Sequence, residues 1–213
     1  MNERFVIWGA PGTGSVAVEA ALTILGLPYR MEAMSGEADA AIAKVNPMRQ
    51  VPALALPSGE LMTESAAILI WLADAHPAAR LSPPVESPLR PAFLRWMVFT
   101  SAAIYALYWV RDDPSRLVSD AVGASEVKAR TAARITACWA VMEAQLSPGP
   151  YLLGKDLSVL DLYVTVLSRW GPRRGAFYEA APRMGEVVRR VDADPRLAAF
   201  WARRFAFTAG WEG

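Results

Sequence analysis

The stretch NPMRQVPALALPSGELMTESAAILIWLAD, residues 46–74, decides how this chain folds. Asn46 and Pro47 close a helix-like run, because proline cannot continue one. VPALAL, a PSG turn and ELM then read as a β-hairpin. TESAAILIWLADAHP follows as a helix, with a polar start and Pro77 just beyond its end. Upstream, RFVIW at 4–8 reads as a short buried strand, and residues 14–26 as a helix stopped by Gly26. LPYRMEAM (27–34) predicts a second strand and GEADAAIAKVN (36–46) a second helix. The order is therefore β-α-β-α-β-β-α over the first 77 residues.

Downstream, HPAARLSPPVESPLRP holds five prolines and reads as a linker. Beyond it strand signals fade, and helical runs recur at 88–111, 124–146, 158–170, 179–191 and 194–206. The expected organisation is an α/β domain over 1–78, a linker over 79–87 and an all-helical domain over 88–213. With 54 % hydrophobic and 20 % charged residues, the 213-residue chain is not of disordered type. A net charge of +1 gives no support to a nucleic-acid partner. Cys138 is the only cysteine, which excludes an intrachain disulfide, a C-x-x-C pair and a cysteine-based metal cluster. No metal and no membrane partner are expected, since no apolar run reaches the roughly 18 residues of a bilayer span. The N-terminus lacks a leader-like apolar segment, and a cytoplasmic setting is expected.

GAPGTGS (9–15) lies between the first strand and the first helix, where a glycine-rich turn often holds phosphate. A P-loop, however, needs a lysine where Ser15 stands and a hydroxyl where Val16 stands. Both chemically required groups are missing. A dinucleotide fold is excluded as well, because the parallel β-α-β unit breaks into a hairpin after one crossover.

NPMRQVPAL (46–54), SGELMTESAAILIWLAD (58–74), the element order and the helical second half together resemble the glutathione transferase family, as a bacterial-type cytosolic member with an atypical loop. The resemblance spans essentially the whole chain. It implies a thioredoxin-like first domain, a homodimer, and glutathione as co-substrate with an apolar electrophile as second substrate, as in detoxification chemistry. It also implies a cis peptide at Val51–Pro52, leaving the Val51 N–H and C=O to pair with the cysteinyl unit of glutathione as an added strand would. By the same resemblance Glu64 takes the ligand's ammonium group, and the Ser65 N–H and hydroxyl take its γ-glutamyl carboxylate at a helix N-terminus. Gln50 helps to place the tripeptide, and Arg49 pairs with its glycine carboxylate.

The family activates the thiol with a Tyr at the end of the first strand or a Ser or Cys in the following loop. Here Trp8 stands near the Tyr position, Gly14 at the cysteine position, and Gly12 or Thr13 at the serine position. The candidate donors are Thr13 first and Ser15 second, supported by loop amides; Ser15 is also the expected N-cap of the first helix. Ser158 and Asp161 in SVLD form a capping-box variant, read as structural. His76 is expected at the end of the third helix, and Cys138 in a core. Trp96, Thr100, Tyr105, Tyr108 and Trp109 lie along one helix that in the family lines the acceptor pocket and the dimer contact. The expected activity is attack of the glutathione thiolate on an electrophilic small molecule. The alternatives are a non-catalytic binding or assembly module and a glutathione-dependent disulfide or peroxide reductase.

Overall fold

The computed structural model describes residues 4–33, 39–170 and 174–205. Strands β1 (Phe5–Gly9), β2 (Tyr29–Ala33), β3 (Ala53–Ala55) and β4 (Leu61–Thr63) form one mixed sheet in the order β2-β1-β3-β4. β1 pairs parallel with β2 across the crossover helix α1 (Ser15–Ile24), and antiparallel with β3, which pairs antiparallel with β4. Helices α2 (Asp39–Val45) and α3 (Ser65–Ala75) complete this α/β unit. β1 is buried along nearly its whole length, as a central strand covered on both faces should be. The segment 34–38, where the second strand and second helix were expected to meet, lies outside the described residues.

The second half is helical: α4 (Arg90–Phe99), a π-helical segment (Thr100–Tyr105), α5 (Ala106–Asp112), α6 (Ala121–Gln145), α7 (Val159–Leu167), α8 (Arg174–Ala180), α9 (Pro182–Asp192) and α10 (Ala198–Arg204). Every residue of α7 is buried, and it packs on α1, α3, α4 and α9. The core is therefore continuous between the two halves, with α1 between the sheet and the helices. Arg90 holds Asp74 with two bonds of 2.8 and 2.6 Å, tying the start of α4 to α3 across the proline-rich segment. This partner holds the Asp74 carboxyl below the usual carboxylate range.

Asp161 accepts from the Ser158 N–H (2.8 Å), the Ser158 hydroxyl (2.6 Å) and, across a loop, the Leu152 N–H (2.7 Å). The capping role read from SVLD is thus present, with Asp161 also anchoring a second segment. Burial pushes this carboxyl up to about 6, against the pull of those donors.

Several boundaries differ from expectation for identifiable reasons. The run expected over 179–191 is α9, which begins only at Pro182, a residue with no N–H to continue a preceding helix; α8 (Arg174–Ala180) lies almost wholly before that run and was not expected. α6 begins at Ala121 rather than 124, since the Asp120 side chain accepts from the Gly123 N–H at 2.8 Å and caps it. The expectation about bilayer spans concerned an unbroken apolar run; the continuous helix Arg90–Asp112, interrupted by Arg95 and Arg111, is nevertheless long and apolar enough to cross a membrane by length and mean composition. Its Phe93, Trp96, Met97, Thr100, Ile104 and Tyr108 are buried in the protein core, while Leu94, Val98 and Trp109 of the same helix are exposed.

Candidate functional site: a three-segment cleft against the helical half

The sheet register places Trp8, Ala53 and Thr63 abreast on β1, β3 and β4. Beyond that row the chain leaves the sheet in three neighbouring segments: the loop Ala10–Gly14, the bend Gln50–Pro52 and the turn Glu64–Ser65. Each segment was singled out from sequence, and the register alone brings them together.

The glycine loop is shaped by its neighbours. Gly12 has φ +77, a conformation that costs other residues steric strain. Its carbonyl accepts from the Trp170 indole N–H at 2.7 Å, so the helical half holds the loop from outside. Ser15 is the first residue of α1, and Gly14 is its N-cap; the expected N-cap role of Ser15 is corrected. Gly14 already has helical backbone angles, which turns the Ser15 side chain inward, where it is fully buried. The Ser15 hydroxyl faces Glu19 Oε1 at 3.4 Å and lies 3.0 Å from the Thr13 hydroxyl. Thr13 donates its own proton to the Ala10 carbonyl at 2.8 Å. Both loop hydroxyls are thus engaged in a network below the loop. That network ends at Arg204 of α10, whose Nε donates to Glu19 Oε2 at 2.7 Å. Burial pushes the Glu19 carboxyl up, and Arg204 pulls it back.

In the second segment the Val51–Pro52 peptide is cis, as the resemblance implied. Val51 lies just outside the β3 ladder, which begins at Ala53. The Asn46 side chain braces the bend by donating to the Gln50 carbonyl at 2.8 Å and accepting from the Met48 N–H at 3.0 Å. Arg49 is exposed and has φ +54, while Pro52 is buried beneath the strand.

In the third segment Glu64 is exposed, with φ +66 at the N-cap of α3, a sparsely populated conformation for a residue with a Cβ. Ser65 is 5 % exposed, and its hydroxyl lies 2.7 Å from the Tyr163 hydroxyl of α7. The Ser65 N–H is one of the first-turn donors that a helix cannot satisfy internally. Burial pushes the Tyr163 phenol up to about 12.

Tyr105, grouped from sequence with the aromatic residues of its helix, reaches this cleft from the end of the π-helical segment. Its hydroxyl donates to the Val51 carbonyl at 3.3 Å and lies close against Gly14. Its ring packs edge-on against Trp170 and Tyr163 at 4.9 and 6.2 Å between centroids. The phenol oxygen fills the space that a Cβ at Gly14 would need, and ring carbon Cζ would be 2.7 Å from such an atom. The glycine at that position is explained by a side chain 91 residues away (105 − 14), which no local pattern reveals. Of the other residues on this helix, Trp96, Thr100 and Tyr108 are buried in the core, and Trp109 is 43 % exposed.

A mixed four-stranded sheet leading into a helical half, with its cleft at the joint, defines a glutathione transferase fold. Residues 15–75 match the family description "Glutathione S-transferase, N-terminal domain", and residues 119–204 match "Glutathione S-transferase, C-terminal domain". The uncharacterized GST-like protein YncG of Escherichia coli (strain K12) is 31 % identical over 196 residues, covering 90 % of this chain and 94 % of that one. Among solved structures, a glutathione transferase homolog from Sulfitobacter with bound glutathione superposes with a TM-score of 0.85 at 25 % identity, covering 94 % of this chain and 98 % of that one. A sphingomonad glutathione S-transferase complexed with glutathione superposes with a TM-score of 0.78 at 26 % identity, covering 93 % and 98 %. The chain belongs to the glutathione S-transferase family.

Proposed function

We propose that this protein is a glutathione transferase that binds glutathione in the three-segment cleft and presents its thiolate to an apolar electrophile. The observation that carries the reading is the shared sheet row Trp8–Ala53–Thr63, which brings the glycine loop, Val51 and the α3 N-terminus to one place. In this reading the tripeptide's cysteinyl backbone pairs with Val51 beside Pro52, as an added strand. Its γ-glutamyl carboxylate meets the Ser65 N–H and the positive end of α3, and Glu64 takes its ammonium group. Gln50 and Arg49 flank the glycine end, with Arg49 on its carboxylate.

The sulfur then lies at the loop Ala10–Gly14, beside the N-terminus of α1, where the helix dipole and amide donors favour thiolate over thiol. Thr13 and Ser15 belong to this end of the site, where their hydroxyls shape the loop. The organisation proposed with it is a glutathione-binding part over 1–78, a linker over 79–87, and a helical part over 88–213 that borders the acceptor pocket. A cytoplasmic homodimer completes the proposal. The inward engagement of both loop hydroxyls favours a second reading, a glutathione-binding module without turnover.

Calorimetric titration with glutathione, followed by turnover of an activated aryl halide, separates these readings. Binding with turnover supports the transferase; binding without turnover selects the module. Absence of heat at millimolar glutathione refutes both.

A further inference from the structure

We infer that the Tyr105 hydroxyl, delivered from the helical half into the space left by Gly14, is the hydrogen-bond donor that faces the glutathione sulfur. This inference rests on the glutathione-binding reading above and adds to it the residue that favours the thiolate. It assigns to the second half of the chain a task for which the loop has no hydroxyl free.

Three observations converge. First, the loop's own hydroxyls are committed: Thr13 donates to the Ala10 carbonyl at 2.8 Å, and Ser15 is fully buried against Glu19. Second, the Tyr105 oxygen sits where a side chain at position 14 would begin, at the N-terminus of α1 and beside the Val51 carbonyl. A ligand backbone pairing with Val51 brings its cysteinyl side chain to this spot. Third, the hydroxyl is held there by design of the helix. The π-helical segment ends at Tyr105, and such a segment shifts the side chains that follow it relative to a regular α-helix. Trp170 packs on the ring and holds Gly12 at the same time, fixing tyrosine and loop together.

The chemistry requires no further group. As the bound thiol ionises its proton leaves to solvent, and the Tyr105 O–H donates to the sulfur lone pair that results. The 3.3 Å bond to the Val51 carbonyl is long, so the hydroxyl exchanges a weak acceptor for a charged one. Tyr105 keeps its proton throughout, because burial and the nearby Tyr163 and Glu64 hold its phenol well above its ordinary value.

The test uses the full chain and three variants, Tyr105→Phe, Gly14→Ala and the double variant, each checked for an unaltered fold by circular dichroism. The readouts are glutathione affinity by calorimetry, the bound thiol's pKa from thiolate ultraviolet absorbance, and the pH profile of kcat/KM with an activated aryl halide. Tyr105→Phe is expected to raise the bound thiol's pKa by about one unit, a tenfold loss of thiolate below it. Its kcat/KM falls about tenfold near pH 6.5 and converges on the wild-type value at alkaline pH, where the thiol ionises without help. Gly14→Ala, which expels the hydroxyl while keeping it in the chain, gives the same pKa rise, and the double variant gives no more.

An unchanged thiol pKa and pH profile in Tyr105→Phe, with glutathione still bound by the wild type, overturns this inference alone. Tighter glutathione binding by that variant with an unchanged thiol pKa also overturns it, marking Tyr105 as a group the ligand must displace. Failure of the wild type to bind glutathione overturns this inference and the function together.

Discussion

Replacing Glu64 with glycine should make the protein more stable and a poorer binder at once. Glu64 is exposed and holds φ +66 at the N-cap of α3. A residue with a Cβ in such a region costs about 1–3 kcal/mol. Glycine adopts it freely but loses about 0.5–1 kcal/mol more chain entropy on folding. The fair reference is Glu64→Gln, which removes the same charge at the helix N-terminus and keeps the backbone restriction. Against that reference, Glu64→Gly should gain about 1 kcal/mol, which for a chain of this length raises Tm by about 2–4 °C. Both variants lose the carboxylate proposed to hold the ligand's ammonium group. A hydrogen bond to a charged group is worth about 1.5–3 kcal/mol, so glutathione affinity should fall about ten- to a hundredfold in each. Differential scanning calorimetry gives the first quantity and calorimetric titration the second. Equal Tm values for the two variants would refute the strain argument. Unweakened glutathione binding in Glu64→Gln would refute the assigned role of the carboxylate.

Three further outcomes follow from contacts around the same cleft. Arg204→Ala leaves Glu19 buried without its cation and should cost about 3 kcal/mol at pH 7.5 in denaturant melts. Burial raises the Glu19 carboxyl in the folded state, so its protonated form is the one folding favours. That contribution is complete below the ordinary carboxylate value and is lost as pH rises through the folded-state value, so the Arg204→Ala deficit should shrink toward acid pH; a deficit independent of pH would contradict this. Trp170→Phe removes the 2.7 Å bond to the Gly12 carbonyl and should cost about 1 kcal/mol, with faster amide exchange confined to the loop 10–14. Ser65→Ala leaves the buried Tyr163 hydroxyl without its 2.7 Å partner and should cost about 1–2 kcal/mol, measured by urea unfolding.

What the sequence disclosed and what it withheld divide along a physical line. The sheet, its hairpin and α1 to α3 were legible because their signals are local: alternation, turn residues and helix stops within a dozen positions. Pro77 marks the end of α3, and Ser158 with Asp161 marks the start of α7, in the same local way. Pro182 carried a local signal as well, yet the expected run started three residues before it, and α8 went unread because its seven residues are too short to show a helical period. The Glu64 backbone angle carried no signal, since glutamate is an unremarkable residue at a helix start. Gly14 was conspicuous in sequence, and its reason was not, because that reason is the Tyr105 ring from the other half of the chain. Ser15 misled for a related cause: a serine beside a helix start reads as a cap, but only the packing of α1 shows that its hydroxyl is turned toward Glu19.

The fit between Gly14 and Tyr105 also limits how the two halves can be exchanged among relatives. A first half carrying any side chain at position 14 would meet the Tyr105 ring, so it needs a second half with a smaller residue there. Conversely, this second half accepts a side chain at that place only if Tyr105 is displaced. The two positions therefore work as a compatibility code for recombination, and chimeras that respect it should fold while those that break it must first repack the joint.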